Sequence, residues 1–176
     1  MSAWQTMQLR HQFNIASGAT PASGEPSYWD GEILWVTPED VTRCPVGYRL
    51  ADTRRKITSE GHKSCSTMLA PRDSIVLTKR APIGQLAILD HEATSNQGCF
   101  LLTPKYLAES RFFYYLLLSS GEWLQALGRG STFMELSTDD LKSLPVAVPG
   151  LSQQRAIADY LDRETGRVDA LVQEKE

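Results

Sequence analysis

The sequence predicts an α+β fold, in which short strands and short helices form one mixed domain and a long helix follows it. Three observations support this prediction. Apolar runs of strand length recur between turn residues, at 74–79, 85–89 and 99–103. A helical apolar pattern covers 108–127, and an amphipathic segment occupies the last 25 residues of the 176-residue chain. This length suits one domain with an appended helix and is short for two domains.

The N-terminal part predicts a loop, a strand and a capped helix. Residues 15–31 are dense in Gly, Ser, Ala and Pro, which predicts a long ordered loop anchored by the pair Tyr28 and Trp29. Residues 32–36 are a short apolar strand. Thr37 can then cap a helix, because a proline suits the first helical position and two acids follow in the first turn.

The middle of the chain predicts a buried sheet and a helix. The three apolar runs are nearly continuous rather than alternating, so we expect both faces of their sheet to be covered. The helix over 108–127 ends at Gly128, and Gly121 is a point where it can kink or split. Ser137 should cap the next short helix, and 146–148 should form a last strand.

The final helix should begin at Ser152 as its cap and extend about 36 Å at about 1.5 Å per residue. The chain ends before any returning helix, so the helix either packs on its own domain or forms one strand of a coiled coil with a partner. Its apolar stripe is widened by Tyr160. The predicted interface residues on this stripe are Ile157, Leu161, Val168, Leu171 and Val172.

Charge is unevenly distributed along the chain. The net charge is −3, but residues 43–80 hold nine basic and three acidic residues, an excess of six. Such a segment indicates a phosphate-binding face, although solvated Lys and Arg side chains in loops would give the same count. Three widely spaced cysteines, the lack of a signal peptide and apolar runs far below the roughly 20 residues of a membrane span predict a reduced, cytoplasmic protein.

The sequence contains no catalytic motif. It lacks a phosphate-cradling glycine loop, a G-x-S-x-G elbow and a G-x-G-x-x-G turn, so neither a dinucleotide nor S-adenosylmethionine has an evident binding site. The pair Asp139 and Asp140 is better explained by helix capping than by acid–base catalysis. Cys44, His62 and Cys65 lack a fourth ligand for a metal. We therefore predict a non-catalytic chain without a metal site.

Three short segments instead suit binding to DNA. A rigid basic turn, an amide pair and a loop of small hydroxyl residues can each contact phosphates or base edges. Each also has a local explanation. The basic side chains can simply be solvated, the amide can shape a turn, and the hydroxyls can hydrogen-bond to nearby backbone groups. The residues concerned are Lys79 and Arg80 in the first, Asn96 and Gln97 in the second, and Arg129, Ser131 and Thr132 in the third.

The order of the motifs resembles one target-recognition half of the specificity subunit of type I restriction–modification enzymes. The resemblance covers nearly the whole chain, and its most specific blocks are the last two. This sequence departs from the usual family pattern in having Gly150 for a second proline and Gln153 for a glutamate. The motifs are GATP, YWDGEILWVTPEDV, ITSEG, KRAPIGQLAI, SNQGCFLLTP, GSTFMELSTDDLKSLPVAVP and LSQQRAIADYLDRETGRVDALV.

The resemblance implies a partly β-helical target-recognition domain over 1–150 and the start of a spacer helix over 151–176. It implies double-stranded DNA, methyltransferase subunits and a restriction–translocation subunit as partners. S-adenosylmethionine, ATP and magnesium would bind to those subunits, and this chain would bind no cofactor. The unpartnered apolar stripe of the last helix further suggests self-association through 156–172. Thr20, Lys56, Ser59 and Lys63 join the predicted DNA-binding residues.

Two other functions stay open at the sequence level. A protein-interaction module or DNA mimic could use the acidic segments and the terminal helix, whereas a stand-alone nuclease or methyltransferase has no motif to support it. If the chain reads DNA, replacing Lys79 or Arg80 with alanine should weaken binding, and at least one of the two changes should alter base preference.

Overall fold

The computed structural model describes residues 4–44, 48–80, 82–128 and 134–174. Within these ranges it has ten strands, six α-helices and two short 3₁₀ turns. The strands are β1 (Gln5–Gln8), β2 (Phe13–Ser17), β3 (Trp29–Val36), β4 (Arg49–Leu50), β5 (Lys56–Ile57), β6 (Ile75–Thr78), β7 (Leu86–Leu89), β8 (Ala93–Ser95), β9 (Cys99–Pro104) and β10 (Pro145–Val148). The helices are α1 (Pro38–Thr42), α2 (Ser59–Ser64), α3 (Ser110–Ser119), α4 (Gly121–Leu127), α5 (Thr138–Ser143) and α6 (Leu151–Gln173).

The strands form three sheets. The largest has the order β2-β9-β6-β7-β4, a second has the order β5-β3-β8, and β1 pairs with β10 alone. The pairs β3–β8 and β4–β7 are parallel, and the other pairs are antiparallel. Because β1 lies beside β10, the start of the domain is joined to the strand that leads into α6. The predicted α+β class and long terminal helix are confirmed.

Both faces of the five-stranded sheet are buried, as the continuous apolar runs predicted. In β6, Ile75 and Leu77 pack against α3 to α6 on one face, while Val76 packs on the opposite face with α1. The strands β7 and β9 alternate in the same way. A sheet covered on both sides leaves only its ends and connecting loops available for contact with other molecules.

Two predicted helix caps are confirmed. The Thr37 hydroxyl accepts a hydrogen bond from the Asp40 amide at 3.4 Å, and the Asp40 carboxylate accepts one from the Thr37 amide at 2.8 Å. Ser137 accepts from the Asp140 amide at 3.0 Å and so caps α5. Each cap satisfies amide groups that the first helical turn leaves without partners.

The helical pattern over 108–127 forms two helices, α3 and α4, with the break between Ser119 and Gly121. The split that Gly121 suggested is therefore confirmed. Gly128 is the C-terminal cap residue of α4, also as predicted. On α3, Phe112, Phe113 and Leu117 are almost fully buried against the five-stranded sheet.

Two sequence-based boundaries are wrong. Helix α6 begins at Leu151 with Gly150 as its cap residue and no side-chain cap, so Ser152 already lies inside the helix. The Gly150 carbonyl accepts from the amides of residues 153 and 154, which fixes the first turn without a hydroxyl. The loop predicted over 15–31 is shorter, because pairing with β9 extends β2 to Ser17 and β3 begins at Trp29.

The first half of α6 is packed onto the domain. Gln154 is 1% exposed; its carbonyl oxygen accepts from the Glu109 amide at 2.9 Å, and its amide donates to the carbonyls of Leu107 and Pro149 at 3.1 and 3.0 Å. Ala158, one turn later, is fully buried. This part of α6 belongs to the same packed unit as the domain before it.

A polar cluster, here called the helix clamp, fixes the middle of α6 and consists of Tyr48, Arg111, Tyr115 and Asp162. The Asp162 carboxylate accepts from the two tyrosine hydroxyls at 2.6 and 2.7 Å and from the Arg111 guanidinium at 2.9 Å. Burial and the bond to Asp162 raise the pKa of Tyr115 to about 12, although a hydrogen bond with Thr165 opposes the shift. The Tyr115 hydroxyl therefore stays protonated, and so remains a donor, at neutral pH.

Beyond the clamp, α6 extends away from the domain. Val168, Leu171 and Val172 are 58%, 59% and 54% exposed, whereas Ile157 and Leu161, on the anchored half, are partly buried. The predicted apolar stripe is thus divided between two environments. Its first part packs on the domain, and its last part is an apolar surface exposed to solvent.

Candidate DNA interface

Three loops meet at one end of the sheets. Residues 18–22 follow β2, residues 96–98 connect β8 to β9, and residues 79–80 follow β6. Backbone bonds join them, from the Ala19 amide to the Ser95 carbonyl at 2.9 Å and from the Lys79 amide to the Gly98 carbonyl at 2.9 Å. This surface, here called the loop cluster, brings together five predicted DNA-binding residues: Thr20, Lys79, Arg80, Asn96 and Gln97.

The polar side chains of the loop cluster are partly used by the cluster itself. The Thr20 hydroxyl donates to the Gln97 side-chain oxygen, which ties the loop after β2 to the β8–β9 turn. The Asn96 side-chain oxygen accepts from the Gly98 amide at 2.9 Å and so shapes that turn. Thr20 and Gln97 are exposed, whereas Asn96 is partly buried. The local role suggested for Asn96 is therefore present, and its role in DNA binding stays a prediction.

The two basic residues after β6 differ in their access to solvent. The Lys79 ammonium lies 2.8 Å from one carboxylate oxygen of Glu135 and 5.2 Å from the centre of the Phe100 ring, and its side chain is 11% exposed. Arg80 contacts the other oxygen of Glu135 at 3.0 Å and is 49% exposed. The hydrogen bond from Lys79, with that from Arg80, holds the pKa of Glu135 below its usual value despite burial. Arg80 is thus the better placed of the two to reach a ligand.

Three other predicted residues lie on β5 and α2. The sheet order places β3 between β5 and β8, so these residues are on the opposite edge from the loop cluster. Lys56 contacts Asp52 at 3.2 Å, and Ser59 opens α2 after the capping residue Thr58. Lys63 is exposed on α2. Arg129, Ser131 and Thr132, the last predicted group, lie outside the described residues.

The basic excess counted between residues 43 and 80 is largely neutralised in the fold. Seven of the nine bases lie within 4 Å of a carboxylate, and some of these carboxylates come from elsewhere in the chain, namely Glu39, Asp90 and Glu135. Within the described ranges, only Arg55 and Lys63 of the nine have no such partner. A count along the sequence therefore overestimated the free positive charge, because it could not include distant acids.

Arg55 was not among the predicted DNA-binding residues, yet its position is distinctive. Its guanidinium carbon lies 3.6 Å from the centre of the Trp29 ring, and the Trp29 and Trp35 rings meet edge to face at 5.0 Å. The two indole N–H groups donate to the carbonyls of Ala22 and Ala19, at 3.2 and 3.0 Å. This arrangement connects Arg55 to the loop over 18–22, on both sides of Thr20. The two tryptophans of YWDGEILWV are the sequence feature that could have indicated it.

A family model described as the type I restriction modification DNA specificity domain matches residues 1–175. The chain belongs to this family. This specificity domain is 35% identical over 160 residues to the type I restriction enzyme MjaIX specificity subunit of Methanocaldococcus jannaschii, and the match covers 90% of this chain and 37% of the relative. It is 23% identical over 167 residues to the EcoDI specificity subunit of Escherichia coli, covering 95% of this chain and 32% of that protein.

Solved structures share the fold of this specificity domain. The HsdS subunit from Thermoanaerobacter tengcongensis superimposes with a TM-score of 0.78 at 20% identity, covering 100% of this chain and 40% of that one. A chain from a study of complex assembly and conformational transition of the type I R-M system gives a TM-score of 0.77 at 22% identity, covering 97% and 40%. The specificity domain thus spans about two fifths or less of the length of these proteins.

The part of the specificity domain that the structure describes also bears on metal binding and membrane insertion. There, no three His, Cys, Asp or Glu side chains come together as metal ligands. No helix of the described ranges combines the length and apolar character that crossing a membrane requires. The three cysteines are free thiols.

Proposed function

We propose that this chain is one target-recognition half of a type I specificity subunit and binds double-stranded DNA sequence-specifically. The observation that carries the proposal is the specificity-domain match over residues 1–175. The exposed loop cluster supports it, since loops at the end of a rigid double-covered sheet can enter a DNA groove. In this proposal residues 1–150 recognise the target, and residues 151–176 begin the spacer helix.

The chain would direct chemistry that other subunits perform. Partner methyltransferase subunits would use S-adenosylmethionine to modify a base of the bound site, and a restriction subunit would use ATP and magnesium. The specificity family is the non-catalytic component of such enzymes, which agrees with the lack of catalytic motifs in this sequence. The complex would act on DNA in the cytoplasm.

The first prediction concerns DNA binding and its salt dependence. The purified chain should select a duplex from a randomised pool. The logarithm of its association constant should fall by about 0.9 per phosphate contacted for each tenfold rise in salt concentration. Arg80→Ala should weaken binding by about 1 kcal/mol or more, roughly fivefold, because a half-exposed cation of the loop cluster is lost. Fluorescence anisotropy over about 50 to 200 mM salt measures both effects.

Arg72→Ala is the matched control for Arg80→Ala. Arg72 is 66% exposed and precedes β6, whereas Arg80 follows the same strand, so the two changes remove equal charge at opposite ends of it. The Arg72 variant should bind DNA like the wild type. Equal losses in the two variants would argue against the loop cluster as the interface. Salt-insensitive binding, or no selected duplex, would instead favour the protein-interaction or DNA-mimic function.

The second prediction concerns self-association through α6. Val168, Leu171 and Val172 form an exposed apolar surface beyond the helix clamp, and two copies could bury it against each other with two-fold symmetry. Leu171→Glu should abolish a dimer that the wild type forms at micromolar concentration, as measured by sedimentation. Gln173→Glu adds the same charge off the stripe and should leave the dimer intact. A monomeric wild-type chain would refute this proposal.

A further inference from the structure

Arg55 presents a guanidinium group with free donors. Its side chain is exposed, its face lies on Trp29 at 3.6 Å, and a second ring, Trp35, is 5.8 Å away. Within the described ranges no carboxylate lies within 4 Å of it and no acceptor takes a hydrogen bond from its side chain. Most other bases of the 43–80 segment are ion-paired. Arg55 is therefore a fixed, exposed cation whose hydrogen-bonding capacity is unused by this part of the protein.

The platform beneath Arg55 is rigid. Trp29 and Trp35 are 7% and 5% exposed, and both indole N–H groups are bonded to loop carbonyls. The backbone carbonyl of Arg55 accepts from the Thr53 hydroxyl at 2.7 Å and from the Trp35 amide at 3.3 Å. The stack thus fixes the plane of the guanidinium relative to the three-stranded sheet.

We propose that Arg55 reads a guanine of the target site through paired hydrogen bonds to O6 and N7. The inference rests on the proposed DNA-binding function and adds a specificity-determining residue to it. Stacking occupies the face of a guanidinium but leaves its N–H edges pointing outward, and this planar fork matches the major-groove edge of guanine. The same fork also fits a phosphate with two parallel hydrogen bonds. The test below separates the two ligands, because only a base contact changes sequence preference.

Neighbouring residues support this assignment. Trp35 donates to the carbonyl of Ala19, and the next residue, Thr20, is bonded to Gln97 in the loop cluster. Arg55 is therefore linked to the loop cluster through the buried Trp35 and the Ala19 carbonyl.

The test compares base preferences selected from a randomised duplex pool by the wild type, Arg55→Gln and Arg55→Lys. The wild type should enrich guanine at one position by roughly 5- to 100-fold over other bases. Arg55→Gln should shift that position to adenine, because a glutamine amide pairs with N6 and N7 of adenine. Arg55→Lys keeps the charge over Trp29 but loses the planar fork, so it should reduce the guanine preference while retaining most of the affinity.

Arg72→Ala is the control, since Arg72 is an exposed cation at the end of β6 opposite the loop cluster and is not a predicted DNA-binding residue. It should leave the selected sequence unchanged. Thermal unfolding verifies that each variant is folded. If Arg55→Gln does not fold, the base preference of Arg55→Lys still tests the inference. An unchanged base profile in the folded Arg55 variants would overturn the inference while leaving DNA recognition intact. A wild-type chain that selects no duplex would overturn the proposed function and this inference with it.

Discussion

Replacing Gly18 with alanine should destabilise the fold by about 3 kcal/mol. An added Cβ would lie 2.2 Å from the Ser95 carbonyl oxygen, 2.3 Å from that of Asn96 and 2.3 Å from the Ser95 hydroxyl. Two of these neighbours are backbone atoms, so the loop after β2 and the β8–β9 turn would have to separate, and overpacking of this kind costs about 1–3 kcal/mol or more. Urea denaturation gives the change in free energy of unfolding.

Gly24→Ala is the matched control in the same loop. No atom lies within 4 Å of the Cβ that this change adds, so the free energy of unfolding should stay within about 0.5 kcal/mol of the wild type. If Gly18→Ala proved as stable as Gly24→Ala, the close approach of the two loops would be refuted. The comparison also explains the first residue of the GATP motif, since a glycine is needed where the two backbones meet.

Arg111→Ala should destabilise the chain by about 2–3 kcal/mol. Its side chain is 25% exposed and contacts Glu109, Asp159 and Asp162 at 2.8–3.0 Å. Without the guanidinium, three carboxylates would remain close together with less compensating charge. We expect the end of α6 to lose its fixed direction as well, which limited proteolysis of the terminal helix would detect. Thermal and urea unfolding measure the stability change.

Arg167→Ala is the control for this change, because Arg167 pairs with Glu164 on the exposed half of the same helix at 2.9 Å. An exposed pair three residues apart contributes about 0.5 kcal/mol or less. Similar losses in both variants would show that the helix clamp does not hold α6.

The pH dependence of the Arg111 effect follows from Asp162. Burial raises the pKa of this carboxyl, but hydrogen bonds from Tyr48, Tyr115 and Arg111 lower it more, so the folded pKa lies below the usual value of an aspartate. The stabilisation is therefore fully present above the unfolded pKa and is lost as pH falls through the lower folded pKa. The difference between wild type and Arg111→Ala should accordingly shrink in strong acid.

Local features of the fold could be predicted from the sequence because their causes are local. Thr37 and Ser137 cap the helices that follow them, and Gly121 marks the break between α3 and α4. The continuous apolar runs predicted the doubly covered sheet, because that pattern depends only on burial of both faces. Ser152 was assigned wrongly as a cap, since the buried Gln154 and the Gly150 carbonyl fix the start of α6 instead.

The candidate site was less accessible to sequence reasoning, because its geometry depends on distant pairs. Arg55 lies on Trp29 only because β5 runs antiparallel to β3, a register that no local pattern reveals. Lys79 and Arg80 were recognised as a basic turn, but their shared partner Glu135 is 55 residues beyond Arg80. Residue type was therefore predictable, while access to solvent was not.

The internal neutralisation of the basic segment affects how such a domain would search for its target. Only two of the nine bases of this segment are free of carboxylate partners in the described ranges. The segment would therefore contribute few counterion-releasing contacts to an encounter with arbitrary duplex. Each encounter would be brief at physiological salt. A mismatched base pair costs about 1–3 kcal/mol, which is a large share of a small total affinity. Weak general attraction would thus make rejection of incorrect sites fast.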